Sequence, residues 1–182
     1  MLIFFTIAAS WFGMQQIHEL GHIAAAKWIG ATIDHIALHP LTISHTDVGP
    51  NRNPRLVVWA GPISGTVLPV AIWLVAAALR IQEAFLLRFF AAFCLVANGV
   101  YIGVGSFFGI GDPGEMLRNG SPIWLLHVFG LVATLGGFVL WNGEGEHFGL
   151  GPNGKPIHFR SVAITAAATV SFVVVGLLVG GK

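Results

Sequence analysis

Five stretches of this chain run for about twenty residues with little or no charge: roughly Met1 to Trp28, Leu56 to Leu79, Ala84 to Ile110, Ile123 to Trp141 and Val162 to Val179. A bilayer core takes about 20 apolar residues per helix, and a single segment in hydrocarbon satisfies its own backbone N–H and C=O groups only as a helix. The stretches therefore predict helices. Of 182 residues, 55% are hydrophobic and only 9% charged, with a mean hydropathy of +0.79, values that do not suit a soluble domain. The expected fold class is an all-α integral membrane protein of about five transmembrane helices, with the bilayer itself as a partner. A net charge of +1 scattered over several loops leaves no basic footprint, so nucleic acid is set aside as a partner.

The connections add detail. Between the first two stretches lies ATIDHIALHPLTISHTDVGPNRNP, in which polar and apolar residues partly alternate and β-branched residues are frequent. That pattern predicts a short β-hairpin over residues 31–48 at the membrane face. Only a few residues around Arg80 to Glu83 join the second stretch to the third, which makes those two an antiparallel pair. The fourth and fifth are joined by NGEGEHFGLGPNGKPIHFR, too rich in Gly and Pro for a helix and expected as an ordered surface loop. The N-terminus lacks a basic n-region and no convincing cleavage site precedes His18, so Met1 to Trp28 reads as a retained first span rather than a signal peptide. Cys94, the single cysteine, falls in an apolar segment as a small buried hydrophobe. Loop charges do not set orientation: Lys27, Arg52, Arg55, Arg118 and Lys182 fall on one side, Arg80, Arg88, Lys155 and Arg160 on the other.

Into the first apolar stretch the chain places HELGH, His18 to His22, with no charge from Met1 to Ile17 and none from Ile23 to Ala26. Ionisable groups at such depth are costly and tend to be functional. On a helix His18 and His22 lie one turn apart on one face, so both imidazoles can reach a single tetrahedral zinc ion, Zn2+. Glu19 beside them suits a different task, accepting the proton of an attacking water as general base. The competing account is three packing polar groups satisfied by neighbouring helices.

Zinc in a hydrolase usually takes three protein ligands, so a third donor is expected elsewhere. Asp112, in GIGDPGEM at the end of the third stretch, is the strongest candidate. Lys27 follows His22 by five residues and Arg118 follows Asp112 by six. At about 1.5 Å per residue both donors then lie at similar depth on parallel helices. Gly109, Gly111, Pro113 and Gly114 loosen the helix there, which a membrane tolerates where backbone lines a cavity or is buried in protein. A plain helix-terminal turn at the interface is the alternative for Asp112. Glu115 is its nearest rival; Glu83, Glu144, Glu146 and His147 fall in other connections. His35, His39 and His45 read as hairpin surface residues, and His127 as a hydrogen-bonded core histidine. The second stretch opens with AGPISG, Ala60 to Gly65, whose small residues permit close helix approach and whose Pro62 frees a carbonyl one turn earlier. That carbonyl could hold an extended substrate strand, or the proline could be a packing kink and no more.

HELGH in an early membrane helix, AGP opening the next one and an Asp-Gly-containing turn at the end of the third together resemble the site-2 protease family of intramembrane zinc metalloproteases. The likeness covers roughly Gln15 to Arg118, and IGATIDHIALHP and NGVYIGVGSFFGIGDPGEMLRNGSP look like its compact bacterial branch. The resemblance implies a three-helix catalytic core, residues 1–118, with His18, His22 and Asp112 on zinc and Glu19 as base. Residues 119–182, two further helices and their loop, lie outside it. Also implied are a membrane-associated hairpin, cleavage of membrane-protein or membrane-peptide substrates in or near the bilayer of a bacterial cytoplasmic membrane, and an active site toward the cytoplasm with the N-terminus outside. The chain departs from the family at Gly65, where many members carry Asn, and at Asn98, fourteen residues before Asp112 with no Asn-x-x-Pro. These positions help clamp substrate in relatives. The function expected is a zinc-dependent intramembrane endopeptidase. The alternatives are a metal-bearing pseudoprotease acting as a membrane adaptor and an ion or proton pathway through His18, Glu19, Asp112 and His127.

Overall fold

The computed structural model describes residues 1–38, 40 and 43–179. His39 and Lys182 lie outside the described residues. Helix α1 spans Leu2–Trp28, strands β1 and β2 span Ile33–Ala37 and His45–Val48, and the remaining helices are α2 Pro54–Ala78, α3 Ala84–Gly105, α4 Gly111–Arg118, α5 Ile123–Trp141 and α6 Phe159–Val179. Four of these, α2, α3, α5 and α6, are long and apolar enough to cross a membrane. With 27 residues α1 also has the length, about 40 Å at 1.5 Å per residue, but its polar run from Gln15 to His22 makes it less apolar. The outer surface is greasy: Phe4, Trp11, Leu68, Leu131, Val139 and Leu178 are each at least 47% exposed, as suits a lipid-facing belt.

Local chemistry sets the element ends. Gly30, at φ 72°, supplies the left-handed residue that lets the chain leave α1 for the hairpin. The Asn53 side chain accepts from the Leu56 amide at 3.2 Å and Pro54 follows it, so α2 starts two residues before the apolar run does. The third apolar stretch is not one helix to Ile110. α3 stops at Gly105, the chain turns through residues 106–110, and Gly109 and Gly111, at φ 64° and 60°, allow α4 to begin as a separate short helix. Asp112 therefore sits in the first turn of α4, not at the end of a span. The Gly- and Pro-rich connection between α5 and α6 holds one turn of 3₁₀ helix, Glu144–Phe148.

Antiparallel β1 and β2 pair Ile33 with Val48, Ile36 with Thr46 and Ala37 with His45, with an irregularity between Ile33 and His35. In the bundle, α1 packs on α2 and α6, and α3 packs on α2 and α5. Three apolar clusters hold it together. Leu2, Leu86, Phe89 and Phe148 close one end. Toward the other end Val58, Ile102, Met116 and Leu126 join α2, α3, α4 and α5, while Ala25, Ala26 and Val57 pack with Ile33 and Val48 beneath the hairpin.

Candidate metal centre

Helical spacing puts His18 and His22 on the face of α1 that meets α2, and α4 delivers Asp112 to the same point. His18 Nε2 lies 2.6 Å from Asp112 Oδ2, His22 Nε2 lies 3.3 Å from that oxygen, and the two Nε2 atoms are 3.1 Å apart. Donors about 2.0–2.1 Å from a tetrahedral ion stand about 3.3 Å from one another, so two of the three separations are already close to that and the third, His18 to Asp112, must open by about 0.7 Å. Both histidines are buried, and Asp112 is partly exposed.

The far ring nitrogens show which way the protons point. His18 Nδ1 meets the Asn98 side-chain oxygen at 2.7 Å, and His22 Nδ1 meets the Val57 carbonyl at 2.8 Å. Both partners only accept, so each Nδ1 carries the proton and donates it. Each Nε2 then presents a lone pair to the same small space, facing a carboxylate oxygen. Neutral imidazoles would bring two lone pairs and an anion within about 3 Å of one another, a repulsion that a shared cation would relieve, so these three side chains could hold a metal ion.

Small residues make the room. A Cβ on Gly61 would fall against both imidazole Nε2 atoms, and one on Gly21 would strike Ser64 and the Ala60 backbone. The glycine inside HELGH and the one inside AGP thus let α1 and α2 close around the cluster. Pro62 is fully buried, and its own carbonyl accepts the Thr66 hydroxyl at 2.8 Å.

Sequence reasoning missed three contributors. Asn98, buried in α3, was noticed only as a displaced family residue. Its amide packs against Gly65, where a Cβ would come within 2.7 Å of Asn98 Nδ2, and it also donates to the Cys94 carbonyl at 2.9 Å. Gly65 and Asn98 are thus one departure and not two: absence of a side chain on α2 admits the amide that orients His18. Tyr101, an α3 residue, accepts the Asp112 amide on its hydroxyl at 3.0 Å, which fixes the start of α4. Thr46 of β2 donates to Glu19 Oε2 at 2.7 Å. Only the Asn-to-Asp spacing hinted at any of these.

The other candidates lie apart from the cluster. Glu115 pairs with Arg118 at 2.7 Å and is exposed. Glu83 binds Arg160 at 2.9 Å, and Glu144 binds Arg88 at 3.1 Å. His147 stacks on Phe85 at 4.7 Å, at the end where α1 begins. His35 and His45 sit together on the hairpin surface, ring centroids 5.6 Å apart. His127 stacks on Phe107 at 4.8 Å, and its buried Nε2 has no hydrogen-bond partner among the described residues, unlike the hydrogen-bonded core histidine expected.

A cavity of about 280 Å³ reaches His22 and Asp112 between Thr46, Val57 and Asn119, and so connects the cluster to the hairpin face. A second, of about 290 Å³ between Leu2, Phe85 and His158, lies sixteen residues up α1 from His18, about 24 Å away by helical rise, and does not serve it. Protein-family models, curated proteins and solved structures offer no match to this chain.

Proposed function

We propose that this chain is a zinc-dependent endopeptidase that hydrolyses peptide bonds of membrane-embedded substrates, as its resemblance to the site-2 protease family implies. One observation carries the reading: two imidazoles with locked tautomers and a carboxylate aim their free electron pairs at one buried point, with a second carboxylate, Glu19, on the same helix and a cavity leading in. His18, His22 and Asp112 would hold the ion. Bound there, zinc would activate a water and polarise a peptide carbonyl.

The chain's own residues account for the rest of the work. Glu19 takes the proton of the attacking water and passes it to the departing amine, so one carboxylate serves as base and then as acid. Asn98 and Val57 keep both histidines in the liganding tautomer. Burial of the cluster keeps bulk water from competing for these contacts. A substrate helix hides its carbonyls in hydrogen bonds and must open before attack; the edge of the hairpin within residues 31–48 offers strand pairing to the opened segment. In the orientation that goes with this reading, the N-terminus lies outside and the hairpin faces the cytoplasm.

The test is metal content and cleavage measured together. Purified protein should carry close to one zinc per chain, Asp112→Ala should lose it, and Glu19→Gln should keep it while cleavage of a transmembrane peptide stops. Zinc retained in Asp112→Ala, or cleavage undiminished in Glu19→Gln, removes the proposal. Bound zinc with no cleavage of any membrane peptide leaves the adaptor reading, for which the missing clamp residue at Gly65 speaks.

A further inference from the structure

Beside the apolar packing of Ala25 and Ala26 on Ile33 and Val48, two polar contacts among the described residues join the hairpin to α1. Ser44 N donates to Gln15 Oε1 at 3.2 Å, and the Thr46 hydroxyl donates to Glu19 Oε2 at 2.7 Å. Gln15 and Glu19 are four residues apart, so they share a face of the helix; they meet the Ser44 backbone amide just before β2 and the Thr46 side chain on one face of it. His45 and Asp47, on the opposite face, are exposed. A membrane helix gains nothing by carrying Gln and Glu on one stripe unless something polar lies along it, and here that is the start of β2. Thr46 also forms part of the wall of the cavity that reaches His22 and Asp112. Its hydroxyl thus stands between the metal cluster's entrance and the buried Glu19.

The geometry points to Thr46 as the positioning residue of the general base. A glutamate has three rotatable bonds, and a carboxylate that must take a proton from one place and return it to another loses rate if it turns. Holding Oε2 with a hydroxyl fixes that rotation and leaves Oε1 to handle the proton. Because the hydroxyl belongs to the hairpin, Glu19 is set for chemistry only while β2 is seated on α1. The hairpin that offers an edge to an opened substrate then also orients the base, so seating of the hairpin and readiness of the site become one event. This inference rests on the peptidase reading and adds to it a residue on a different element.

The test uses the full-length chain in detergent, zinc-loaded, with a fluorescein-labelled Leu-Ala transmembrane peptide carrying a central Asn-Gly-Pro break. Thr46→Val, which keeps the shape and removes the donor, should lower kcat about tenfold to a hundredfold with KM and zinc content unchanged, and Thr46→Ser should restore most of it. Unchanged kcat, a loss confined to KM, or a rise in kcat, which would make the hydroxyl a plug, overturns the inference. A readout without catalysis runs beside it. Thr46→Val should lower the melting temperature of the parent protein but have no further effect in a Glu19→Ala background; equal shifts in both overturn the link between the two side chains. Failure of the peptidase reading looks different: the parent cleaves nothing, while the melting cycle still reports the contact.

Discussion

His18 has two jobs for its two nitrogens, and the residue that divides them is Asn98. Without an acceptor at Nδ1 the proton can sit on either nitrogen, and half of the useful arrangement is lost. Asn98→Leu, similar in volume but without the oxygen, should weaken zinc binding about tenfold to a hundredfold, the range seen when a ligand's hydrogen-bonded support is removed. Asn98→Asp keeps an acceptor and should bind more tightly than the leucine variant; a chelator-competition titration ranks the three. Equal affinities would mean that His18 is oriented by packing alone. At this scale the meeting of His18, His22 and Asp112 was legible because ligand chemistry restricts both residue type and helical spacing. Asn98 and Thr46 were not, since an amide or hydroxyl acting through another side chain has no fixed spacing to it and is brought there by tertiary packing.

Among the elements, α3 and α5 approach one another through their glycines. A Cβ on Gly130 would come within 2.6 Å of the Gly103 Cα and 2.8 Å of the Gly99 carbonyl, so this crossing is backbone against backbone. In a bilayer such contact substitutes for the hydrophobic drive that lipid removes. Gly130→Val should therefore force the helices apart and cost about 1–3 kcal/mol, read as a fall in melting temperature in detergent. Gly136→Val, on the same helix with only Leu95 at 4.0 Å, serves as the neutral control. The helices themselves could be read from the sequence, since apolar length alone demands them. The hairpin was also legible, from alternation and its Pro- and Asn-rich exit. What misled was the third stretch, where apolar residues continue through Phe107, Phe108 and Ile110 after the helix has ended: hydropathy sees no boundary there, while the glycines that turn the chain and Tyr101, which anchors Asp112, decide it.

For the whole molecule, the two ends answer to different physics. At the end where α1 begins, Arg88 with Glu144 and Arg160 with Glu83 tie α3, the 3₁₀ turn, α6 and the start of α3 together. Burial raises the Glu144 carboxyl above its ordinary 4.5, against the pull of Arg88 and Lys155. A carboxyl raised in the folded state favours folding below its unfolded value and loses that contribution as pH rises through the folded one. Stability linked to this group should thus decline on going from about pH 4 toward neutrality, and Glu144→Gln should flatten that slope in a pH series of thermal melts. The other end carries the His18, His22 and Asp112 cluster, which could hold a metal ion, and its support comes from residues beyond the likeness. Arg55 donates to the Asn119 and Gly120 carbonyls at 3.0 and 3.2 Å, Trp59 Nε1 donates to Ser121 at 2.9 Å, and Leu126 of α5 packs on Met116, one turn after Asp112. The segment from Asn119 onward therefore pins α4 against α2 from behind. A chain ending at Arg118 retains every proposed ligand, yet it lacks the turn and the helix that hold Asp112 in place, and its zinc affinity should fall at least tenfold. A milder version tests the same point in the intact chain: Met116→Ala removes a fully buried side chain from that cluster, should cost about 2–5 kcal/mol of stability, and should weaken zinc binding as well. If Met116→Ala lowers the melting temperature but leaves zinc affinity as it was, Asp112 is held by Tyr101 and the α4 backbone alone, and α5 serves the bundle and not the site.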